Sequence, residues 1–512
     1  MAENYTSKYL KIYFWQAISF ILNFVSLFIV VPSLSIMPNV YGIYSICVGM
    51  TIFLSYADLG FMGAGTKYAS ESCIKGDITS EKRYIGQAVF IYGLIASFLF
   101  LVFLLLAYSP TIIVSDIKKG TEEFQIAQSL LFILALSIPV GIMQKYITMI
   151  YNVRLMDYKI QKVNIIGALV RIASVLLFFF NNKYDIVGYY AFTQIVLFTC
   201  ASYLLWKTKS LSYGFLSIFK NCRFHKPSFD VMKGLAVSGI AASISWILYY
   251  ELDSLAIGKV LGARSVAYYA IGFTLISFFR SALSIFFSPY NVRFNYFVGN
   301  GDLQGLSSFC LMLIKLSATV LLPPFVAVIC FANPFVMAWV GPTYQPSVLV
   351  MQFLVACYLF SFITNPLSFF QISLKQVKFI YYISVILPTV YWVVIILTFK
   401  WGGIYSFAFS KLLAFAIAAI VYVWVSYKSM RVGLLKYIRE IIFAPLIQAV
   451  IPTILLSYLL SSYVYYGQDD WALFWVIASI MLISVVVWII NLAVNKDFRV
   501  NFINVYKTIT KA

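Results

Sequence analysis

Apolar residues run through this chain in long blocks, cut at intervals by short polar stretches that hold nearly all of its charge. A block of about 20 apolar residues crosses the hydrocarbon core of a bilayer as a helix. Fourteen blocks meet that length, near residues 12–31, 40–64, 84–108, 125–144, 161–180, 187–206, 234–257, 266–287, 306–331, 347–372, 379–398, 403–425, 443–462 and 472–492. The first, from Phe14 to Val31, is too long for the core of a secretory signal and lacks a small-residue cleavage site, so it reads as the first membrane helix. No connection is long enough for a soluble domain; the longest, residues 207–233, is basic and reads as a linker. The expectation is an all-α polytopic membrane protein.

Composition agrees. Hydrophobic residues make up 62% of the 512 positions and charged residues only 11%, too few charges to cover a water-exposed surface. The net charge of +19 has a topological reading, because cytoplasmic loops accumulate Lys and Arg. With the N-terminus inside, the inner segments hold roughly 27 basic residues and the outer loops roughly 6. That bias places both termini in the cytoplasm, as an even helix count requires, and makes a nucleic-acid partner unnecessary. The high tyrosine and aromatic content, as at Tyr249, Tyr250 and 463–466, fits interfacial belts, with stacking on sugar rings as the other reading.

Several chemistries are excluded. The seven cysteines form no CxxC pair and the only histidine is His225, so no zinc site, His-dependent triad or disulfide framework is expected. The sequence calls for no metal or cofactor and offers no covalent catalysis.

The basic linker after the sixth helix divides the chain into a six-helix lobe (1–206), the linker (207–233), a second six-helix lobe (234–425) and a terminal helix pair with its tail (426–512). A short internal echo fits: Tyr41-Gly42-Ile43-Tyr44-Ser45-Ile46 opens the second helix, and Val266-Ala267-Tyr268-Tyr269-Ala270-Ile271 the eighth. Parallel repeats of this kind belong to transporters that rock one half against the other.

Charges within membrane helices cost about 2.5–3.5 kcal/mol each at the helix centre, so they are the first place to look for function. Arg171, Arg280, Lys315 and Lys411 fall near their helix midpoints, and the acids that could balance them, Asp58, Glu251 and Asp253, lie near helix ends. If the four basic side chains converge, they line a cationic, water-filled cavity suited to an anionic cargo, since Arg holds phosphate through paired N–H donors and Lys as a point charge. The other reading is that each pairs privately or snorkels to an interface. Glu251 and Asp253, about 200° apart around a helix, do not share a face. Asp58 is a candidate carrier of a coupling proton, or else a helix-end carboxylate that bonds to a neighbouring helix or pairs with Lys67.

Ordered segments add a resemblance. Pro38-Asn39-Val40-Tyr41-Gly42-Ile43-Tyr44, then Asp58-Leu59-Gly60-Phe61 and Lys67-Tyr68-Ala69-Ser70-Glu71, resemble the opening of polysaccharide-exporting flippases. Asp253 followed by Ile257-Gly258-Lys259-Val260-Leu261-Gly262-Ala263 is similar to the start of their second half, and Trp339-Val340-Gly341-Pro342-Thr343-Tyr344 to an outer-loop stretch that more usually reads leucine-phenylalanine-glycine. The family is the Wzx-type O-antigen and polysaccharide-repeat flippases of the multidrug/oligosaccharidyl-lipid/polysaccharide (MOP) superfamily. The resemblance implies a V-shaped pair of lobes around a cleft lined by the first, second, seventh and eighth helices. It implies transfer of an undecaprenyl-diphosphate-linked sugar repeat across the bacterial inner membrane by a monomer working beside a polysaccharide polymerase and a chain-length regulator. Lumen cations would hold the diphosphate or acidic sugars, Arg280 being the best placed, with Asp58, Glu251 or Asp253 coupling transport to a proton or sodium gradient. Two other readings remain: a multidrug or organic-cation exporter of the same superfamily, which would favour an acidic cavity, and a membrane-embedded glycan polymerase, which would need a large outer loop or a soluble domain.

Overall fold

A computed structural model describes residues 5–181, 183–211, 213, 220–374, 376–430, 433, 435, 437–462, 470–495 and 498–499. The tyrosine-rich segment 463–466 and part of the 207–233 linker lie outside the described residues. Among the described residues the regular structure is helical throughout, as expected where lipid offers no partner for backbone N–H and C=O groups.

Contacts gather the chain into two compact units, residues 1–267 and 268–512. The first holds α1 (Tyr5–Leu34), α2 (Pro38–Gly49), α3 (Thr51–Tyr56), α4 (Phe61–Ile74), α5 (Ile78–Tyr108), α6 (Glu122–Asn152), α7 (Asp157–Phe178), α8 (Ile186–Lys207), α9 (Lys226–Trp246) and α10 (Asp253–Leu261). Helix α11 (Ala263–Gly299) begins in the first unit and continues into the second. The second unit adds α12 (Leu303–Cys330), α13 (Ala332–Val340), α14 (Ser347–Cys357), α15 (Ser361–Ser373), α16 (Val377–Gly402), α17 (Ile404–Met430), α18 (Ala444–Ser461) and α19 (Asp470–Val494). Thirteen spans among the described residues are long and apolar enough to cross a membrane.

The seventh expected span, near 234–257, is present as helix but interrupted. After α9 the chain makes a π-helical turn over Ile247–Glu251, with Leu252 N–H donating to the Ile247 carbonyl at 3.2 Å, before α10 begins at Asp253. The expected second helix, 40–64, is also broken. Leu59 and Gly60 adopt positive φ values of 45° and 76°, so the span ends at Tyr56 and α4 starts at Phe61. A glycine suits this turn twice over. It enters the left-handed region without strain, and a Cβ there would lie 2.7 Å from the Ala236 carbonyl oxygen of α9.

Polar residues at the block edges set where helices start. Asp77, Thr121, Asp185 and Asp302 each accept a backbone N–H of the first turn, satisfying a donor that the helix leaves unpaired. The single histidine serves the same purpose. His225 caps α9, accepting from Ser228 N–H at 3.3 Å through Nδ1, while its own N–H donates to Gln87 Oε1 at 2.5 Å.

Two contacts hold the first unit at its ends. On one face Asp116 accepts the Ala263 N–H with both carboxylate oxygens at 3.1 Å, and Ser115 N–H donates to the Gly258 carbonyl at 3.2 Å. The 109–121 connection and the α10–α11 junction, which the charge alternation assigns to the same side, therefore meet. Here α2 crosses the start of α11 with Gly42 against the Ala263 backbone, so closely that a Cβ would overlap the carbonyl oxygen. At another position Glu81, at the start of α5, takes an ion pair from Arg154 at 2.6 Å and a hydrogen bond from the Tyr213 hydroxyl at 2.6 Å. The Arg154 guanidinium also sits 5.3 Å from the Tyr213 ring centre. Burial, then the hydrogen bond and charge of Glu81, push the Tyr213 phenol well above its ordinary range, which keeps it a donor. This cluster ties the start of the basic linker to α5 and α6.

The second unit is built on α12, which is buried over much of its length and packs against α15, α18 and α19. The terminal helices are part of this bundle: Trp488 of α19 donates its indole N–H to the Val320 carbonyl of α12 at 3.2 Å. On the far side, α17 packs against α14 and α16.

Gly42→Ala is expected to cost about 1–3 kcal/mol through overpacking. Gly49→Ala, one α2 position with only an ordinary contact at 4.0 Å, should be close to neutral; thermal unfolding of the two variants in detergent compares them. Glu81→Gln strands the buried Arg154 charge and should cost about 3–5 kcal/mol, read as a lower unfolding midpoint.

Candidate functional site

Within the first unit, α1, α6, α7 and α8 enclose a cavity of about 380 Å³. Its lining is unusual for helices this apolar. Ser19 and Asn23 come from α1, Gln144 and Thr148 from α6, and Gln161, Asn164 and Arg171 from α7, with Cys200 and aliphatic residues of α6 to α8 completing the wall. These polar residues stand three, four or seven apart on their helices, the spacings that put side chains on one face. Asn23 and Asn164 are exposed, while Ser19, Gln144, Thr148, Gln161 and Arg171 are half-buried, so the cavity reaches the surface of the bundle.

Arg171 is the one charged side chain in the lining. Helical side chains lean toward the N-terminus, and one turn back stands Gly167. A Cβ at Gly167 would lie 2.9 Å from Cys200 Sγ and 3.6 Å from an Arg171 guanidinium nitrogen. The glycine thus lets α8 approach, while the guanidinium sits at ordinary contact distance. Among the described residues no carboxylate lies within ion-pair distance of Arg171. The side-chain amides of Asn23, Gln144, Gln161 and Asn164 likewise form no hydrogen bond to another protein group among those residues.

The other three expected cations lie in the second unit. Arg280 on α11 and Lys315 on α12 are half-buried. Lys411 on α17 has no exposed surface, and its Nζ faces the rings of Phe273, Tyr391 and Tyr269 at 5.2, 5.6 and 6.0 Å from their centres. Such an aromatic cage favours a cation through the negative faces of the rings. Phe273 is two turns before Arg280 on α11, so the ring that Lys411 faces and Arg280 are attached to one helix roughly 10 Å apart along its axis.

The acidic candidates all belong to the first unit. Asp58 falls in the break between α3 and α4 rather than inside a helix. Its carbonyl accepts Phe61 N–H at 2.8 Å and its Oδ2 accepts Met62 N–H at 3.3 Å, capping α4. Lys67 lies over the Tyr68 ring, 5.3 Å from its centre. Glu251 closes the π-helical turn and accepts the Trp246 indole N–H at 3.3 Å; π-bulges recur at functional positions. Asp253 is buried in the first turn of α10, where a negative charge complements the helix dipole.

No protein-family model matches the chain. It is similar to the uncharacterized membrane protein EpsK of Bacillus subtilis (strain 168), 25% identical over 227 residues, which is 43% of this chain and 43% of that protein. The match thus spans less than half the length of that relative. Among solved structures, the lipid II flippase MurJ in an inward closed conformation superposes with a TM-score of 0.61 at 13% identity, covering 93% of this chain and 97% of that one. A multidrug resistance MATE family transporter of the MOP superfamily, inward-facing, gives 0.62 at 11% identity over 83% and 96%. A MOP superfamily transporter from Pyrococcus furiosus Vc1 (DSM3638), described by the reverse polarity of its binding pocket, gives 0.57 at 10% identity over 83% and 96%. The chain shares its fold with these solved transporters.

Sequence reading found Arg171 by its charge and passed over Asn23, Gln144, Gln161 and Asn164. Their signal was present as uncharged polar residues at helical spacing inside apolar blocks. Asp58→Ala is expected to cost about 1 kcal/mol by loss of the α4 cap, whereas Asp58→Asn, which retains a capping oxygen, should change stability little; chemical denaturation of the two variants separates them.

Proposed function

We propose that this protein is a flippase that carries an undecaprenyl-diphosphate-linked oligosaccharide, an O-antigen or related polysaccharide repeat unit, from the cytoplasmic to the outer face of the bacterial inner membrane. The observation that carries the reading is the Arg171 cavity: a positive, polar-lined space inside a membrane bundle with no carboxylate in its wall. Support comes also from the resemblance of the ordered motifs, and from a fold shared with a lipid-linked substrate flippase over nearly the whole chain. Arg280, Lys315 and Lys411 add positive charge in the second unit, and Arg280 is assigned to the diphosphate.

The mechanism needs no covalent step. The polyprenyl tail stays in lipid, the saccharide head enters the polar interior from the cytoplasmic side, and alternating access releases it on the other. Guanidinium and ammonium groups replace the water that a diphosphate loses on entering a low-dielectric space. A proton or sodium gradient drives the cycle, with Asp58, Glu251 or Asp253 as the carrier. Both termini are assigned to the cytoplasm, and a polysaccharide polymerase and chain-length regulator act on the product. The second reading, an organic-cation exporter, has the MATE likeness in its favour but needs a negative cavity wall, the opposite of the Arg171 site.

Purified protein in proteoliposomes should move a fluorescent undecaprenyl-diphosphate saccharide between leaflets, read by quenching with a membrane-impermeant reductant. Arg280→Gln should slow this by about tenfold or more, the worth of a charge-assisted hydrogen bond. Drug-cation transport without any saccharide movement would replace the flippase reading with the exporter. Collapse of both the proton and sodium gradients should slow flipping; an unchanged rate would remove ion coupling.

A further inference from the structure

The cavity in the first unit says more about the cargo than its charge. About 15 Å³ of such space holds one water, so 380 Å³ is far more than a water or a small inorganic ion needs. It falls within the range of about 300–1,000 Å³ usual for organic ligands. Its polar wall is four carboxamides (Asn23, Gln144, Gln161, Asn164), two hydroxyls (Ser19, Thr148) and one guanidinium. The Thr148 hydroxyl donates to the Gln144 carbonyl at 2.8 Å, leaving its lone pairs to accept. Each carboxamide presents two donors and an acceptor, none of them used within the protein among the described residues.

Polar groups away from bulk water carry a cost unless they are hydrogen-bonded. A wall with many neutral donors and acceptors and a single cation is the complement of a polyhydroxylated ligand bearing one negative charge. A diphosphate would instead call for several cations and few carboxamides. We propose that this cavity is a subsite for one acidic sugar residue of the hexuronate class. Arg171 takes the carboxylate through paired N–H donors, and the carboxamides of α1, α6 and α7 take the ring hydroxyls. As a statement about cargo it rests on the flippase reading above, and it adds that the saccharide contains an acidic sugar.

Binding to the purified full-length protein in nanodiscs tests the subsite without any transport. Glucuronate, glucose, acetate, chloride and pyrophosphate are titrated at matched ionic strength, with the thermal unfolding midpoint and calorimetric heat as readouts. Glucuronate should bind saturably and more tightly than the other four. Arg171→Gln should weaken glucuronate by at least about tenfold, the worth of a charge-assisted hydrogen bond. It should leave the weak response to glucose unchanged. Gln161→Leu, which keeps the charge, should weaken glucuronate and glucose together and serves if Arg171→Gln does not fold.

Equal stabilisation by acetate or chloride would make this a small-ion site and overturn the proposal. So would tighter binding of pyrophosphate, or glucuronate affinity untouched by both substitutions. Flipping of a neutral lipid-linked saccharide without glucuronate binding would sink the subsite and leave the flippase reading intact. Glucuronate binding without any flipping would uphold the subsite and remove the flippase.

Discussion

A charge placed among apolar helices has lost the water that stabilised it, and this protein compensates in three different ways. Glu81 and Arg154 meet at 2.6 Å with the Tyr213 hydroxyl completing the carboxylate's partners, so positive and negative desolvation are offset locally. Lys411 faces three aromatic rings, whose faces supply negative potential. Arg171 has neither arrangement: it faces a cavity walled by neutral polar groups. The first two arrangements are closed and stabilise the bundles. The third is open to a ligand, which is why it carries the functional reading.

The same shortage of water governs the backbone. Helices that cannot bond to solvent gain by close packing and by caps at their ends. Gly42 brings α2 onto the Ala263 backbone, and Gly60 lets α9 approach the break before α4. Asp58, Asp116 and His225 each spend a polar side chain on N–H groups at helix starts. In the fold they satisfy donors.

Two departures from straight helices in the first unit lie before the α10–α11 junction and around α4. The π-helical turn at Ile247–Glu251 leaves Glu251 bonded to Trp246 and starts α10 with a buried Asp253. Two acids that a regular helix would set about 200° apart are instead divided by a turn of different pitch. Their placement follows from local backbone geometry that hydropathy does not register.

The sequence by itself determined the class of protein and the rhythm of its helices, because crossing a bilayer imposes a length of apolar residues that can be counted one position at a time. It also marked the charges within the spans, since each stands out against an apolar block. It could not show that the second block breaks at Leu59–Gly60 or the seventh at Glu251–Leu252. Those breaks depend on an approaching helix and on one extra residue in a turn. Nor could it separate Arg171, facing a polar cavity, from Lys411, facing aromatic rings. Both are single cations in apolar helices, and their difference lies in which faces of neighbouring helices surround them. Only tertiary packing brings Asn23 into one wall with Gln144, Gln161 and Asn164, which lie more than a hundred residues further along the chain.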